Sequence, residues 1–288
     1  MAFKRIARKV LIKLKLIILA RKVLIKFKLI IALIQLSGTK IDGLSESLSQ
    51  VIKEIIIGKQ SKEEKKQINE IERIRSILNK SKDDIEIIVG YNAPENKYDQ
   101  LRTVSDTIGS VSKTSSMSDC WAFMLFKIIR GLKPKTCFEM GTCLGISAAY
   151  QGSALKLNQS GHLTTFELSQ SKIDVAKTVF NELNLDNIET ICGKFQDTLE
   201  RELIKKQPID YVFIDGHHDG EATINYFELL VPYLANNAIV VFDDINWSSG
   251  MKKAWNVLNK DRRLSIAVDL LRIGICIFDK PKKTHSIP

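Results

Sequence analysis

From Asp119 onward the chain alternates short runs of β-branched and aromatic residues with amphipathic stretches, and no other feature restricts the fold as tightly. The strand candidates are Thr136–Met140, Leu163–Leu168, Ile188–Cys192, Tyr211–Asp215, Ala238–Asp243, Ser265–Asp269 and Ile273–Phe278. Helical stretches separate the first six, as the crossovers of a parallel sheet require. Only Leu270-Leu271-Arg272 joins the last two. That connection is too short for a crossover helix, so the last strand is expected to run antiparallel to its neighbours. The expected fold class is α/β, a seven-stranded, mostly parallel sheet with an antiparallel last strand, preceded by an N-terminal helical segment.

The region before Asp119 is organised differently. Residues 1–36 carry ten Lys or Arg and no acid, and Ala7–Ile18 returns almost unchanged as Ala20–Ile31. At about 100° per residue, the thirteen-residue offset turns the second copy by roughly 220° around a helix, so one straight helix cannot show both copies on one face. A break near Leu19 or a twisted amphipathic surface is expected. The longest uninterrupted apolar run is Leu29–Ile34, too short for a transmembrane span, and no small-residue cleavage site marks a signal peptide. Two readings stay open: a basic arm lying on an anionic membrane surface, or a helix packing on another subunit or on the main domain. Residues 41–56 and 61–79 have helical apolar spacing. Residues 81–118 hold one strand candidate, Ile85–Val89, in a Ser-, Thr-, Asn- and Asp-rich stretch that reads as loop or lid.

Charge and cysteine content narrow the function. The ten basic residues of the first segment account for the whole surplus of 43 Lys and Arg over 33 Asp and Glu, so the remainder is formally neutral. That argues against a nucleic-acid partner for the main domain. The five cysteines are odd in number and lack C-x-x-C spacing, so no disulfide framework or zinc site is indicated and a reducing, cytoplasmic compartment is expected.

Chemistry-bearing residues gather at the strand ends. The first strand runs into Phe138-Glu139-Met140-Gly141-Thr142-Cys143-Leu144-Gly145-Ile146-Ser147, a glycine-bearing turn leading into a helix. Such a turn lets backbone approach a ligand. It departs from the dinucleotide pattern G-x-G-x-x-G because Glu139 stands at the first glycine position. The second strand ends in Phe166-Glu167, a carboxylate placed to accept hydrogen bonds from a ribose. After the third come Gly193-Lys194-Phe195-Gln196-Asp197, with an aromatic ring and an amide suited to a purine. The fourth ends in Asp215-Gly216-His217-His218-Asp219 and the fifth in Asp243-Asp244-Ile245-Asn246-Trp247. Each acid alone reads as a cap or a solvated terminus. Three acids and two imidazoles at the mouths of adjacent strands suggest a metal or proton-transfer site.

In this order the motifs resemble the class I S-adenosylmethionine-dependent methyltransferases, a Rossmann-like fold, and among them the small-molecule O-methyltransferases akin to catechol O-methyltransferase. The likeness spans about residues 119–280. It is closer to bacterial proteins carrying Asp-Gly-x-His and Phe-Asp-Asp-Ile-x-Trp-Ser, here Asp215–His218 and Phe242–Ser248. The resemblance implies that Glu139, Gly141, Thr142, Gly145 and Ser147 surround the methionine part of the donor. Glu167 would hold its ribose, and Phe195 and Gln196, following Gly193, its adenine. Asp215, Asp243 and Asp244 would match the ligands of magnesium or another divalent cation, although Asp244 stands where those enzymes usually have an amide. His218 falls where they carry a catalytic lysine and is assigned as the base, with His217 the alternative and Asp215 assisting. Trp247 would wall the acceptor pocket.

The expected activity is methyl transfer from S-adenosylmethionine to a small-molecule acceptor, through a hydroxyl oxygen. The rivals are an NAD(P)-dependent oxidoreductase on a similar sheet and a non-catalytic, membrane-recruited binding protein. The expected organisation is a basic arm (1–36), a helical region (37–80), a linker or lid (81–118) and the methyltransferase domain (119–288). Peripheral contact with the inner membrane face and homo-oligomerisation accompany this reading.

Overall fold

A computed structural model describes residues 23–34, 36, 43–90 and 101–279. The first copy of the N-terminal repeat, the expected break near Leu19 and the tip of the expected lid lie outside the described residues. The elements begin with α1 (residues 23–34), α2 (Leu44–Ile57), α3 (Lys62–Leu78), β1 (Asp84–Gly90), β2 (Leu101–Thr107), α4 (Ile108–Ser115) and α5 (Asp119–Leu132). There follow β3 (Thr136–Met140), α6 (Ile146–Asn158), β4 (His162–Glu167), α7 (Gln170–Glu182), β5 (Ile188–Cys192) and α8 (Phe195–Lys206). The chain continues through β6 (Ile209–Ile214), α9 (Gly220–Leu230), β7 (Leu234–Phe242), α10 (Ser249–Leu258), β8 (Leu264–Asp269) and β9 (Gly274–Phe278).

All seven strand candidates are strands of one sheet, in the order β5-β4-β3-β6-β7-β9-β8. Pairing from β5 to β7 is parallel, and β9 inserts antiparallel between β7 and β8. The expected fold class therefore stands. The largest boundary difference is at β7, which begins at Leu234 rather than Ala238. Leu234 pairs with Ile209 ahead of an irregularity, and the intervening Ala235-Asn236-Asn237 has none of the β-branched character that marks a strand in sequence.

Side chains alternate across the sheet and fill two cores. On β6, Tyr211 and Phe213 join the layer containing α5, α6 and α7, whereas Val212 and Ile214 join the layer containing α8, α9 and α10. Helix α6 is buried from Ile146 to Leu155, because the sheet covers one side and α3 and α5 the other. It therefore lacks the polar face of a surface helix.

The N-terminal helices extend the first core. Leu29 and Ala32 of α1, Leu48 of α2 and Ile71 of α3 are buried in it, and Lys28 pairs with Asp269 of β8 at 3.6 Å. Of the two readings for the basic arm, packing on the main domain describes this face of α1. Val23, Leu24, Phe27 and Ile30 are exposed. An ion cluster ties α2, α3 and α5 together. Buried Lys127 lies 2.8 Å from Glu54 and 3.2 Å from Glu64, and Arg130 reaches Glu64 at 3.1 Å. The Lys127 ammonium holds the Glu54 carboxyl at about 2. A Ser61–Glu64 capping box starts α3.

Residues 81–118 are more structured than the expected loop. Strands β1 and β2 form an antiparallel hairpin, and Thr107 caps α4 by accepting from the Ser110 N–H at 3.2 Å. Strand β2 (Leu-Arg-Thr-Val-Ser-Asp-Thr) shows no clean alternation of apolar and polar residues, so its pairing partner defines it and not its periodicity. None of the described helices is long and apolar enough to cross a membrane.

Candidate active site

The sheet order reverses between β3 and β6, since the chain winds outward through β4 and β5 on one side and through β7 on the other. Crevices at such points open at the carboxyl ends of the strands. Here the crevice is a cavity of about 460 Å³, within the usual range for small ligands. Ile88, Leu101 and Ser115 from the hairpin and α4 close one side of it. The hairpin is tied down where α7 begins, through the Ile88 N–H donating to Ser169 Oγ at 3.3 Å and the Ser171 hydroxyl donating to the Glu86 carbonyl.

One end of the cavity is built from peptide groups. Glu167 leaves the end of β4 and its carboxylate accepts from three backbone N–H groups, those of Cys143, Leu168 and Ser169, each at 3.0 Å. Lys172 of α7 stands 3.7 Å from the same carboxylate. The β3 loop reaches this position by passing against the end of β6. Gly141 has φ of +113°, and a Cβ there would lie 2.2 Å from the Asp215 carbonyl oxygen. Gly145 fits α6 against α7, where a Cβ would come within 2.8 Å of Ala176 Cβ. Both glycines are therefore demanded by internal packing, and Gly141 also borders the cavity.

Glu139, Thr142, Gly145 and Ser147 do not border the cavity; they support the loop that does. The buried Glu139 carboxyl accepts from Gln151 Nε2 and Thr165 Oγ1, both at 2.6 Å. Burial pushes it up to about 7, against hydrogen bonds from Thr165, Ser147 and Gln151 that favour the anion. Thr142 and Thr165 share a 2.6 Å hydroxyl contact.

Phe195 and Gln196 line the cavity beside Gly193. The Phe195 ring lies under Gly216, where a Cβ would approach it to 2.6 Å, and stands edge-on to Tyr226 at 5.6 Å between centroids. His217 completes this group, 5.5 Å from the Phe195 ring, with Nδ1 2.6 Å from the Tyr226 hydroxyl. Burial lowers its pKa and favours the neutral ring. His217 and His218 both adopt positive φ, 63° and 46°, and this double left-handed turn sends consecutive imidazoles to different surroundings. Asp219 closes the motif as the cap of α9, accepting from the Ala222 N–H at 2.9 Å.

The other end is built from charged side chains. His218 is the imidazole that faces the acids, with Nε2 4.0 Å from Asp215 and Nδ1 3.5 Å from Asp244. Burial and the neighbouring Asp243 push the Asp215 carboxyl well above the usual carboxylate range, and burial likewise raises Asp244. Two of the three expected cation ligands, Asp243 and Asp244, lie against a guanidinium. Both oxygens of Asp243 accept from Arg272, at 2.8 Å from Nε and 2.7 Å from Nη2, and Asp244 lies 3.3 Å from the same Nε. Among the described residues no three His, Cys, Asp or Glu side chains converge as a metal site. Trp247 does not border the cavity, and the residue is 72% exposed.

Sequence reasoning missed Arg272 and Lys172. Arg272 sits in the short β8–β9 connection, where its length was the only informative property, and Lys172 lies on the first turn of a helix whose lysines otherwise face water. Arg272 meets Asp243 and Asp244 because β9 inserts beside β7, and Lys172 borders the cavity beside Glu167.

Residues 138–245 match the family described as "Methyltransferase domain". No curated protein matches the sequence of the chain. In structure it is similar to an SAH-bound methyltransferase of Podospora anserina, with 16% identity, a TM-score of 0.54 and coverage of 84% of this chain and 99% of that one. It is also similar to an O-methyltransferase from Bacillus cereus in complex with SAH, with 17% identity, a TM-score of 0.51 and coverage of 74% of this chain and 91% of that one. At these identities the two neighbours establish the fold. The resemblance to a methyltransferase domain and the sheet expected from the strand pattern both stand.

Proposed function

We propose that this chain, whose residues 138–245 match a methyltransferase domain, transfers a methyl group from S-adenosylmethionine to a hydroxyl oxygen of a small molecule. The observation that carries this reading is a single cavity with a fixed acceptor carboxylate, Glu167, at one end and His218 among acids at the other. When bound, S-adenosylmethionine supplies an electrophilic methyl group.

The chain's own residues bind, orient and move a proton. The Glu167 carboxylate, held by three peptide donors, keeps one acceptor site, on Oε2, for a ribose hydroxyl. Gly193, Phe195 and Gln196 offer a flat apolar and amide surface to an adenine. His218 accepts the proton of the acceptor hydroxyl at an imidazole nitrogen, and Asp244, 3.5 Å from Nδ1, stabilises the imidazolium so formed. Ile88, Leu101 and Ser115 close one side of the cavity against water. The NAD(P) rival is disfavoured by Glu139, which occupies the place of the first fingerprint glycine and whose buried carboxyl is satisfied internally.

Calorimetric titration with S-adenosylhomocysteine and with NAD checks the assignment. The former is expected to bind with a Kd in the ~micromolar range and the latter not to bind. Uptake of NAD alone sinks it.

We also propose that the N-terminal arm makes peripheral contact with an anionic membrane surface. Support comes from the exposed Val23, Leu24, Phe27 and Ile30 on α1, together with the ten basic and no acidic residues of positions 1–36. Full-length protein is expected to co-sediment with phosphatidylserine-containing vesicles and not with neutral ones. Equal partitioning onto both removes the charge argument.

A further inference from the structure

Asp215, Asp243 and Asp244 crowd the ends of β6 and β7, and the cation that compensates them belongs to the protein. We propose that Arg272 is a built-in cation at this site, filling the place of a divalent metal and positioning Asp244 and His218 for proton transfer. The proposal rests on the methyl-transfer reading for its consequence in turnover, while its geometry stands apart from that reading.

The guanidinium engages both oxygens of Asp243 in the fork geometry that makes arginine–carboxylate pairs strong. The Asp243 side chain is fully buried, so separating the pair would strand a charge. Nε also lies 3.3 Å from one oxygen of Asp244, whose other oxygen is 3.5 Å from His218 Nδ1. A continuous path thus runs from Asp243 through Arg272 and Asp244 to the imidazole, whose remaining nitrogen is turned toward Asp215.

The backbone makes this placement a property of the fold. The turn carrying Arg272 is bonded to the loop carrying the acids, because the Ile245 N–H donates to the Arg272 carbonyl at 3.0 Å and Asn246 Nδ2 to the Leu271 carbonyl at 2.6 Å. Within the turn, the Leu271 N–H donates to Asp269 Oδ1 at 2.8 Å and Leu271 takes φ of +76°. A hard divalent cation would have to compete with the guanidinium for Asp243, both of whose oxygens already accept from Arg272. A guanidinium has no lone pair to offer in exchange.

The test measures manganese binding by electron paramagnetic resonance on full-length protein saturated with S-adenosylhomocysteine, beside turnover. Wild type is expected to show no saturable site up to about 1 mM manganese, and turnover is expected to change less than about twofold after dialysis against a chelator. Arg272→Ala is expected to lose roughly 100-fold in turnover, with affinity for S-adenosylhomocysteine within about threefold, and to gain a manganese site. Asp243→Asn in that background should abolish the new site. Arg272→Lys should recover about tenfold of the lost turnover, since an ammonium restores charge without the fork. A stoichiometric manganese site in wild type that disappears in Asp243→Asn overturns the proposal, as does wild-type turnover in Arg272→Ala. Should Arg272→Ala fail to fold, the wild-type titration and Arg272→Lys decide alone. Absence of S-adenosylhomocysteine binding to wild type would instead remove the donor assignment, and the manganese titration would still judge Arg272.

Discussion

At the Glu167 end of the cavity the polar contacts are made by peptide groups, three N–H donors on one carboxylate, and the side chains there mostly hold backbone in place. At the His218 end the contacts are made by side chains from three separate turns, those after β6, after β7 and between β8 and β9. The first arrangement is rigid because moving it means breaking strand and loop hydrogen bonds. The second is held by charge balance and can be retuned one side chain at a time. On the proposed reading, the Glu167 end is the rigid part that holds the donor, and the acid cluster is the part that sets the acceptor and its chemistry.

The largest expected effect tests the rigidity of the donor end. Gly141→Ala would place a Cβ 2.2 Å from the Asp215 carbonyl oxygen at a φ of +113°. Strain and overpacking together should cost about 3–6 kcal/mol, enough to leave much of the protein unfolded. Urea denaturation reads the loss directly. A change under about 1 kcal/mol would mean the loop is pliable and the contrast between the two ends false.

The next effect belongs to the acid end. His218→Ala should lower kcat by about 10²–10⁴ while leaving affinity for S-adenosylhomocysteine within about threefold, because the imidazole faces the acids and not the donor end. His217→Ala should do the reverse, weakening donor binding through Phe195 with a smaller change in kcat. Parallel measurement of both variants breaks the comparison if their effects are exchanged.

The two ends also differ in how much the amino-acid sequence discloses. Strand runs such as Thr136–Met140 and Ile188–Cys192 are local, so their β-branched and aromatic residues mark them without reference to distant partners. Glu167 and the glycine turn follow from strand ends in the same way. Arg272 cannot be read like this, since its partners lie 28 and 29 positions earlier in the chain and meet it only because β9 inserts beside β7. Glu139 was legible as a position and not as an environment. Its motif marks it for ligand contact, whereas Gln151 on α6 and Thr165 on β4 enclose it behind the loop. Strand β2 was missed because its side chains are mostly exposed or half-buried, leaving no periodic signal.

Glu139 gives the third prediction, of about 3 kcal/mol. Its carboxyl titrates at about 7 in the fold against 4.5 when solvated, with burial the first cause. The folded state binds this proton more tightly, so the associated stability is complete below about pH 4.5 and is lost as pH rises through about 7. Glu139→Gln keeps an acceptor for Gln151 and removes the ionisation. Relative to wild type, the variant should gain up to about 3 kcal/mol at pH 8 and almost nothing at pH 4. Urea midpoints at the two pH values measure the difference. A variant less stable than wild type at pH 8 would show that the anion is required in place, and would return Glu139 to a direct role at the donor end.

The smallest expected effect separates the two imidazoles most cleanly. The Tyr226 hydroxyl lies 2.6 Å from His217 Nδ1, and burial already lowers the pKa of that ring. A hydroxyl donating to Nδ1 leaves the proton of the neutral ring on Nε2, a donor that cannot also accept from a substrate. Tyr226→Phe removes this constraint while keeping the ring contacts with Phe195 and His217. Donor affinity should fall by about 1 kcal/mol, near fivefold, and the pH dependence of kcat should stay where it is in wild type. If the profile moves instead, the proton passes through His217, and the base belongs to the aromatic wall rather than to the acid cluster.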